Sequence, residues 1–225
     1  MDILDTIAPA QRKATSTFYS KVISLFGLSI LSTGLGVYLG FHFLLVAFIQ
    51  NPILMYAIFG AELILIFTSG KWSKTVPLNY GLFVLFTMLS GITIVPLIAS
   101  FAAEFGGYAI IYRALFSTTV VFAGMGILGW TTRKSLIGLS GFLMAGLLTL
   151  LVVGILGIFI PWGNQMEIIY SGAGVLVFAL FAMVDMNRLK YYHEDQYIMA
   201  AIQLYLDIFN LFVFILRLTG ALGRD

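Results

Sequence analysis

The chain has 225 residues, of which 60% are hydrophobic and 10% are charged, and its mean hydropathy is +1.02. Soluble domains carry about 25% charged residues, so this composition excludes an ordinary soluble domain. The apolar runs are continuous, whereas the strands of a membrane β-barrel would alternate in polarity over about ten residues. The absence of Cys excludes thiolate chemistry, and the net charge of +2 is too small to indicate nucleic-acid binding. We therefore expect an all-α polytopic membrane protein with at most about eight spans of about 20 residues each.

The N-terminal stretch is charged and has no signal-peptide pattern. Asp2, Asp5, Arg12 and Lys13 precede the first apolar run, and no short apolar core is followed by a small-residue cleavage site. We expect residues 1–225 to form a single transmembrane domain, with a short cytosolic N-terminal segment of about residues 1–20.

Seven apolar stretches are predicted to cross the membrane, with six or eight as the alternatives. Between the first two spans, Gly40, His42, Gln50, Asn51 and Pro52 predict a short turn. The predicted spans, in chain order, are about 20–40, 44 or 52 to 68, 78–100, 108–130, 136–160, 167–186 and 196–218.

The distribution of Lys and Arg predicts the orientation of the spans. With seven spans, nine basic residues lie on one side: Arg12, Lys13, Lys21, Lys71, Lys74, Arg133, Lys134, Arg188 and Lys190. Three lie on the other: Arg113, Arg217 and Arg224. The N-terminus is therefore predicted in the cytosol and the C-terminus outside.

Glycines recur within the spans. Gly36 and Gly40 form a G-x-x-x-G pattern, and Gly124, Gly126 and Gly129 lie along the fourth span. We expect close helix packing at these positions rather than a role in gating.

Three acidic residues lie within predicted spans: Glu62, Asp185 and Asp207. An Asp at the centre of a membrane helix costs about 2.5–3.5 kcal/mol on insertion scales, so such residues indicate function. A helical hairpin centred near Gln196 would hold Asp185 and Asp207 at equal depth on adjacent helices. Ionising two facing carboxylates together costs free energy because the like charges repel. The two groups therefore titrate as a unit. The pair therefore predicts a proton-sensitive switch or a cation site.

Structural interpretations of the acids remain open. Asp185 would cap or snorkel at the end of its helix, Asp207 would bond a hydroxyl or Asn210, and Glu62, late in the second span, would lie near the cytosolic rim. Lys71, Lys74, Arg188 and Lys190 are candidate cations for latching the acids when a pore is closed. Arg188 follows Asp185 by three residues, which also allows a local helical pair.

Enzyme interpretations fit the sequence poorly. Ser140, in Gly-Leu-Ser-Gly, resembles the serine of intramembrane proteases, but His42 and His193 are predicted away from it. Two isolated His residues cannot form a His-rich transition-metal site, and the seventh span has no Lys for a retinal Schiff base. No enzymatic activity and no bound cofactor are expected. Calcium remains a candidate ion, with Asp185 and Asp207 supplying some of its oxygen ligands.

Four segments together resemble the Bax-inhibitor-one, or transmembrane Bax inhibitor motif, family, most closely its prokaryotic calcium-leak members. They are Gly91-Ile-Thr-Ile-Val-Pro-Leu97, Ala114 to Gly129, Asp185-Met-Asn187 and Leu204 to Gly220. The resemblance implies seven helices with a central seventh helix, and a pH-sensitive calcium leak. It implies that Asp185 and Asp207 form a hydrogen-bonded, proton-sensing pair and that Glu62 is associated with the pore.

The chain departs from the family at the segment that follows the second helix. In bacterial relatives an arginine there latches the aspartate in the closed state, whereas here Ser69 to Lys74 contains no Arg. A Lys supplies a point charge but cannot fork onto a carboxylate.

The sequence thus predicts a pH-sensitive calcium channel or leak gated by the Asp185–Asp207 pair, with Glu62 attracting cations. High pH would ionise both aspartates and favour opening. The alternatives are a proton-coupled cation transporter and a non-transporting membrane interaction protein. The expected partners are the lipid bilayer, calcium and protons, the expected location is a prokaryotic plasma membrane, and a monomeric pore is compatible with the sequence.

Overall fold

The structure is a computed structural model that describes residues 15–224, and its described residues form helices joined by short loops. The predicted N-terminal segment therefore lies mostly outside the described residues, as do Arg12 and Lys13. The helices are α1 (Ser16–Leu39), α2 (Leu45–Gln50), α3 (Pro52–Trp72), α4 (Leu78–Thr93), α5 (Val95–Glu104), α6 (Ala109–Thr131), α7 (Ser140–Phe159), α8 (Asn164–Arg188) and α9 (Tyr197–Leu222).

Seven spans are long and apolar enough to cross a membrane, which confirms the predicted all-α fold. They are Ser16–Gln50, Pro52–Trp72, Leu78–Glu104, Ala109–Thr131, Ile137–Gly157, Asn164–Tyr191 and Glu194–Leu222. The chain is therefore an integral membrane protein.

Of the residues predicted to form the turn between the first two spans, Gly40 and His42 do not form it, whereas Asn51 does. A π-helical segment, Gly40–Leu44, joins α1 to α2 without a break in the helix. Backbone groups within hydrocarbon must stay hydrogen-bonded, so Gly and His at this depth do not end a helix. The turn lies at Asn51 instead, whose side-chain oxygen accepts a hydrogen bond from the backbone N–H of Ile53 at 3.2 Å.

The third span is interrupted at Ile94, between the end of α4 and the start of α5. Pro96 lies in the first turn of α5, where its missing N–H is tolerated. The next turn contains Gly106 and Gly107 with φ of 68° and 145°, values that favour glycine. This turn lies between the predicted third and fourth spans.

The last helix, α9, is the centre of the bundle and packs against α1, α4, α6 and α8. In its most apolar window 61% of the residues are buried, against 11% for α3 and for α7. The predicted central seventh helix is confirmed.

Glycines allow two pairs of helices to approach backbone to backbone. A Cβ atom at Gly36 or Gly91 would collide with the facing backbone between α1 and α4, and one at Gly129 would collide with Met183 on α8. A Cβ atom at Gly40 would collide with the Val95 side chain, one at Gly126 would make an ordinary contact with Met186, and one at Gly124 would meet open space. The close packing predicted for the glycines thus holds for Gly36, Gly40 and Gly129 and not for Gly124.

The two ends of the bundle differ in charge. Contacts such as Lys74 with Asp195 at 3.3 Å gather the loops after α3, α6 and α8 at one end. We call this the basic end, and the described members of the predicted nine-residue set lie there: Lys21, Lys71, Lys74, Arg133, Lys134, Arg188 and Lys190. At the opposite end, Arg217 pairs with Glu167 at 2.7 Å and Arg224 with Glu104 at 2.6 Å.

Candidate functional site

Two aspartates on neighbouring helices lie buried towards the basic end. Asp185 is in the last turn of α8 and is 6% exposed, and Asp207 is the eleventh residue of α9 and is 4% exposed. The loop between these helices is centred at Tyr192 and His193, so the prediction of a turn centred near Gln196 is wrong. Asp207 nevertheless lies close enough to be repelled by Asp185.

Arg188 is the cation that acts on both aspartates. Its Nη1 lies 3.0 Å from Oδ1 of Asp185, and its charge also attracts Asp207. Its Nη2 donates a hydrogen bond to the Ser140 hydroxyl at 2.5 Å, which ties the start of α7 to the end of α8. The predicted local pair between Asp185 and Arg188 is confirmed.

Each aspartate keeps one buried oxygen without a hydrogen-bond partner among the described residues, Oδ1 of Asp185 and Oδ2 of Asp207. The Asp185 oxygen is close to Arg188 but outside hydrogen-bonding geometry. Oδ1 of Asp185 thus has an ion pair with Arg188, whereas Oδ2 of Asp207 has no hydrogen-bond partner among the described residues.

Two structural interpretations of the aspartates are wrong. Asn210 donates to the carbonyl of Leu206 at 2.8 Å and so does not bond Asp207. Asp185 is buried rather than snorkelling at an interface. The burial of both carboxylates therefore has no explanation in local capping.

Tyr192 borders the aspartate pair from the loop after α8. Its hydroxyl donates to the side-chain oxygen of Gln203, and the phenol is close to Asp185 and Arg188. Burial raises the pKa of Tyr192 to about 12, with a further contribution from the negative charge of Asp185. Tyr192 is therefore a neutral neighbour of the pair across the physiological pH range.

Asn187 anchors the loop after α6 against the end of α8. It is fully buried, its Nδ2 lies within 3.2 Å of the carbonyls of Gly129, Thr132 and Lys134, and its Oδ1 accepts from Leu136 N–H at 2.9 Å. Sequence reasoning included Asn187 in a motif but missed this role.

Glu62 lies in the bundle interior, not at the rim. It is the eleventh of the 21 residues of α3 and is 6% exposed. The Ser90 hydroxyl donates a hydrogen bond to Oε1 of Glu62, and the Thr93 hydroxyl donates one to Oε2 at 3.1 Å. The interpretation of Glu62 as a residue late in its span is wrong, because the helix runs from Pro52, the later of the two predicted starts, to Trp72.

Hydroxyl groups extend the Glu62 cluster to α1 and α9. The Tyr205 hydroxyl lies near Ser90 and Glu62 and 2.9 Å from Thr33 Oγ1. Tyr205 and Asp207 are two residues apart, so at 100° per residue they point to roughly opposite sides of α9. The central helix thus lies between the Glu62 cluster and the aspartate pair.

Sequence reasoning missed Ser90 and Tyr205 because their role depends on helices distant in sequence. The available signal was the run of hydroxyl residues in α4, which includes Thr93 in the segment that carries the family resemblance.

The other candidate latch cations have different partners. Lys74 pairs with the exposed Asp195, and Lys190 donates to the carbonyls of Gly129 and Thr132 at 3.3 and 2.9 Å. Lys71 is exposed and forms no ion pair within residues 15–224. Among the predicted latch residues, Arg188 alone reaches the aspartates in the described part of the chain.

The carboxylates do not assemble into a larger metal cluster. Within residues 15–224, no three His, Cys, Asp or Glu side chains group in a way that could hold a metal ion. Calcium takes 6–8 oxygens, so Asp185 and Asp207 could supply only part of its coordination, with the rest from water or carbonyls.

Comparison with known proteins identifies relatives along nearly the whole chain. The family model described as "Inhibitor of apoptosis-promoting Bax1" matches residues 15–224. The chain is 30% identical over 203 residues to an uncharacterized protein of Campylobacter jejuni, covering 90% of this chain and 87% of that protein. It is also 30% identical over 177 residues to Bax inhibitor 1 of Schizosaccharomyces pombe, covering 78% of this chain and 65% of that protein. An uncharacterized membrane protein of Streptococcus pyogenes is 29% identical over 219 residues, covering 90% of this chain and 92% of that protein.

Proposed function

Because the chain belongs to the Bax inhibitor family, we propose that it is a pH-sensitive calcium leak whose opening is controlled by protonation of the Asp185–Asp207 pair. The observation that carries this proposal is the burial of two carboxylates beside a single cation, Arg188, within a bundle of membrane-spanning helices. In this proposal calcium is the permeant ion rather than a resident cofactor.

The charge balance of the pair supplies the pH dependence. With both aspartates ionised, the single positive charge of Arg188 leaves one negative charge in excess. An uncompensated buried charge costs several kcal/mol unless water or a counter-ion reaches it. Protonation of one carboxylate removes the excess, so low pH favours the packed arrangement. High pH favours an arrangement in which water and cations enter.

The Glu62 cluster supports the choice of a cation as the permeant species. Glu62 lies halfway along α3, and the hydroxyls of Ser90 and Thr93 stand beside its carboxylate. Carboxylate and hydroxyl oxygens are hard ligands of the kind that calcium prefers. Since α9 lies between this cluster and the aspartate pair, a shift of α9 on ionisation of Asp207 would act on the surroundings of Glu62.

Orientation follows from the positive-inside rule. The loops at the basic end carry most of the Lys and Arg residues, so this end would face the cytosol of a prokaryotic plasma membrane.

The proposal is tested by calcium flux through the purified protein in liposomes, measured at steps from about pH 6 to about pH 8. The wild type should pass calcium faster at high pH than at low pH. Asp207→Asn removes one ionisable group of the pair with little change in shape, and it should remove the pH dependence.

Asp195→Asn is the matched control, because Asp195 is an exposed aspartate at the same end of the bundle. It should leave both the rate and the pH dependence unchanged. Absence of flux from wild-type protein at every pH would refute the leak. Uphill calcium movement driven by a proton gradient alone would instead establish a proton-coupled transporter.

A further inference from the structure

A second feature of the basic end is an apolar groove between α1 and α6. Its volume is about 320 Å³, within the range of pockets that bind small molecules. Its walls come from α1 and α6 and its floor from α8, α9 and the loop between them. The principal lining residues are Tyr19, Val22, Phe26, Phe122, Trp130, Met186, Leu189 and Leu204.

Aromatic side chains mark the mouth of the groove. Trp130 is 44% exposed and contacts Tyr19 edge-on, with the ring centres 5.1 Å apart. Trp and Tyr are enriched where membrane helices reach the headgroup region. The mouth of the groove therefore lies at the depth of the lipid headgroups.

Basic side chains surround this mouth. The Lys190 ammonium lies 5.8 Å from the centre of the Trp130 ring. Arg133 and Lys134 follow Trp130 in the next loop, are exposed, and form no ion pair within the described residues. The sequence has no Asp or Glu between Glu104 and Glu167, so no acid on this stretch offsets their charge.

The depth of the groove suits a hydrocarbon chain. Phe26 and Phe122 line the groove and stack with ring centres 5.5 Å apart. Eight residues separate Trp130 from Phe122, which is about 12 Å along a helix. A single leaflet of the hydrocarbon core is about 15 Å thick, so the groove can hold most of one acyl chain.

We propose that this groove binds one anionic phospholipid, with its phosphate against Arg133, Lys134 and Lys190 and one acyl chain between α1 and α6. Basic pockets between membrane helices on the cytosolic side are suited to anionic headgroups. A free phosphate would contact the same cations but would leave the apolar groove unfilled. A phospholipid fills both the basic mouth and the apolar groove. The groove floor includes Leu189, which follows Arg188, so a bound lipid contacts the segment that carries the cation of the aspartate pair.

Trp130 provides a direct probe of lipid occupancy. Wild-type protein and Trp130→Phe are each reconstituted in phosphatidylcholine vesicles that contain a minor fraction of brominated phosphatidylglycerol or brominated phosphatidylcholine. The difference in fluorescence quenching between the two proteins isolates Trp130 without altering the other two tryptophans. One basic side chain at a membrane surface changes anionic-lipid affinity about five-fold, so brominated phosphatidylglycerol should quench at least about five-fold more effectively.

Charge variants separate this site from general attraction to the basic end. Arg133→Gln/Lys134→Gln removes two of the three cations and should lower the preference at least about five-fold, and high salt should reduce it in the wild type. Lys71→Gln/Lys74→Gln removes the same charge elsewhere at the basic end and should leave the preference intact. Equal quenching by the two brominated lipids, or an equal loss in both double variants, would overturn the proposal.

Discussion

Asn187→Ala tests whether the end of α8, and with it Asp185, is held by one buried amide. The substitution leaves the N–H of Leu136 and the carbonyl of Lys134 without the partner that Asn187 provides. The carbonyls of Gly129 and Thr132 keep the ammonium of Lys190 as a second donor. Two lost hydrogen bonds in a buried site, at about 1–1.5 kcal/mol each, give a destabilisation of about 2–3 kcal/mol.

Thermal unfolding in detergent measures this effect. A change of 1 kcal/mol moves the melting temperature of a chain of this size by about 2–4 °C, so Asn187→Ala should melt about 4–12 °C below the wild type. Asn210→Ala is the matched control, since Asn210 makes one bond to a helical carbonyl and is only half-buried. It should lower the melting temperature by no more than about 4 °C.

Lys190 and Asn187 share two acceptors, which makes their effects non-additive. Removing both donors orphans the carbonyls of Gly129 and Thr132, so Asn187→Ala/Lys190→Met should lose more stability than the sum of the single variants. A melting temperature of Asn187→Ala within about 2 °C of the wild type would refute the anchoring role. Strict additivity in the double variant would refute the shared-acceptor explanation.

Three further outcomes are expected. Gly91→Ala should destabilise the protein by at least about 2 kcal/mol in chemical denaturation, because its Cβ meets the backbone of Thr33, whereas Gly124→Ala has room and should be neutral or slightly stabilising. Glu62→Gln should lower calcium flux several-fold in liposomes at every pH without moving the midpoint of the pH dependence. Burial raises the pKa of Tyr192 to about 12, so the folded state loses stability as pH rises from about 10 to about 12. In denaturant titrations, Tyr192→Phe should remove this part of the loss.

The spans and the acids within them could be predicted because each is a local property of the sequence. Twenty-residue apolar runs determine the spans, and Asp207 stands out because an acid is costly in hydrocarbon. The turn between the first two spans could not be located in this way. In the sequence, Gly40 and His42 indicate the end of a helix, but the backbone keeps its hydrogen bonds through a π-helical segment.

The side-chain partners depended on contacts between distant helices. Ser90 and Thr93 reach Glu62 across more than 25 positions in sequence, and Tyr205 approaches them from α9. No periodicity within a helix identifies such a cluster. The choice of Arg188 over the three candidate lysines followed only from the structure. Lys74 pairs with Asp195, Lys190 donates to backbone carbonyls, and Lys71 forms no ion pair within the described residues.

The central claim is that Asp185 and Asp207 act as one proton-sensing unit, and a double-mutant cycle tests it most directly. Calcium flux through purified protein in liposomes is measured against pH for the wild type, Asp185→Asn, Asp207→Asn and the double variant. If the carboxylates act together, each single variant should lose the pH dependence and the double variant should match them. Single variants that each keep a pH-dependent flux, with their effects adding in the double variant, would contradict the account.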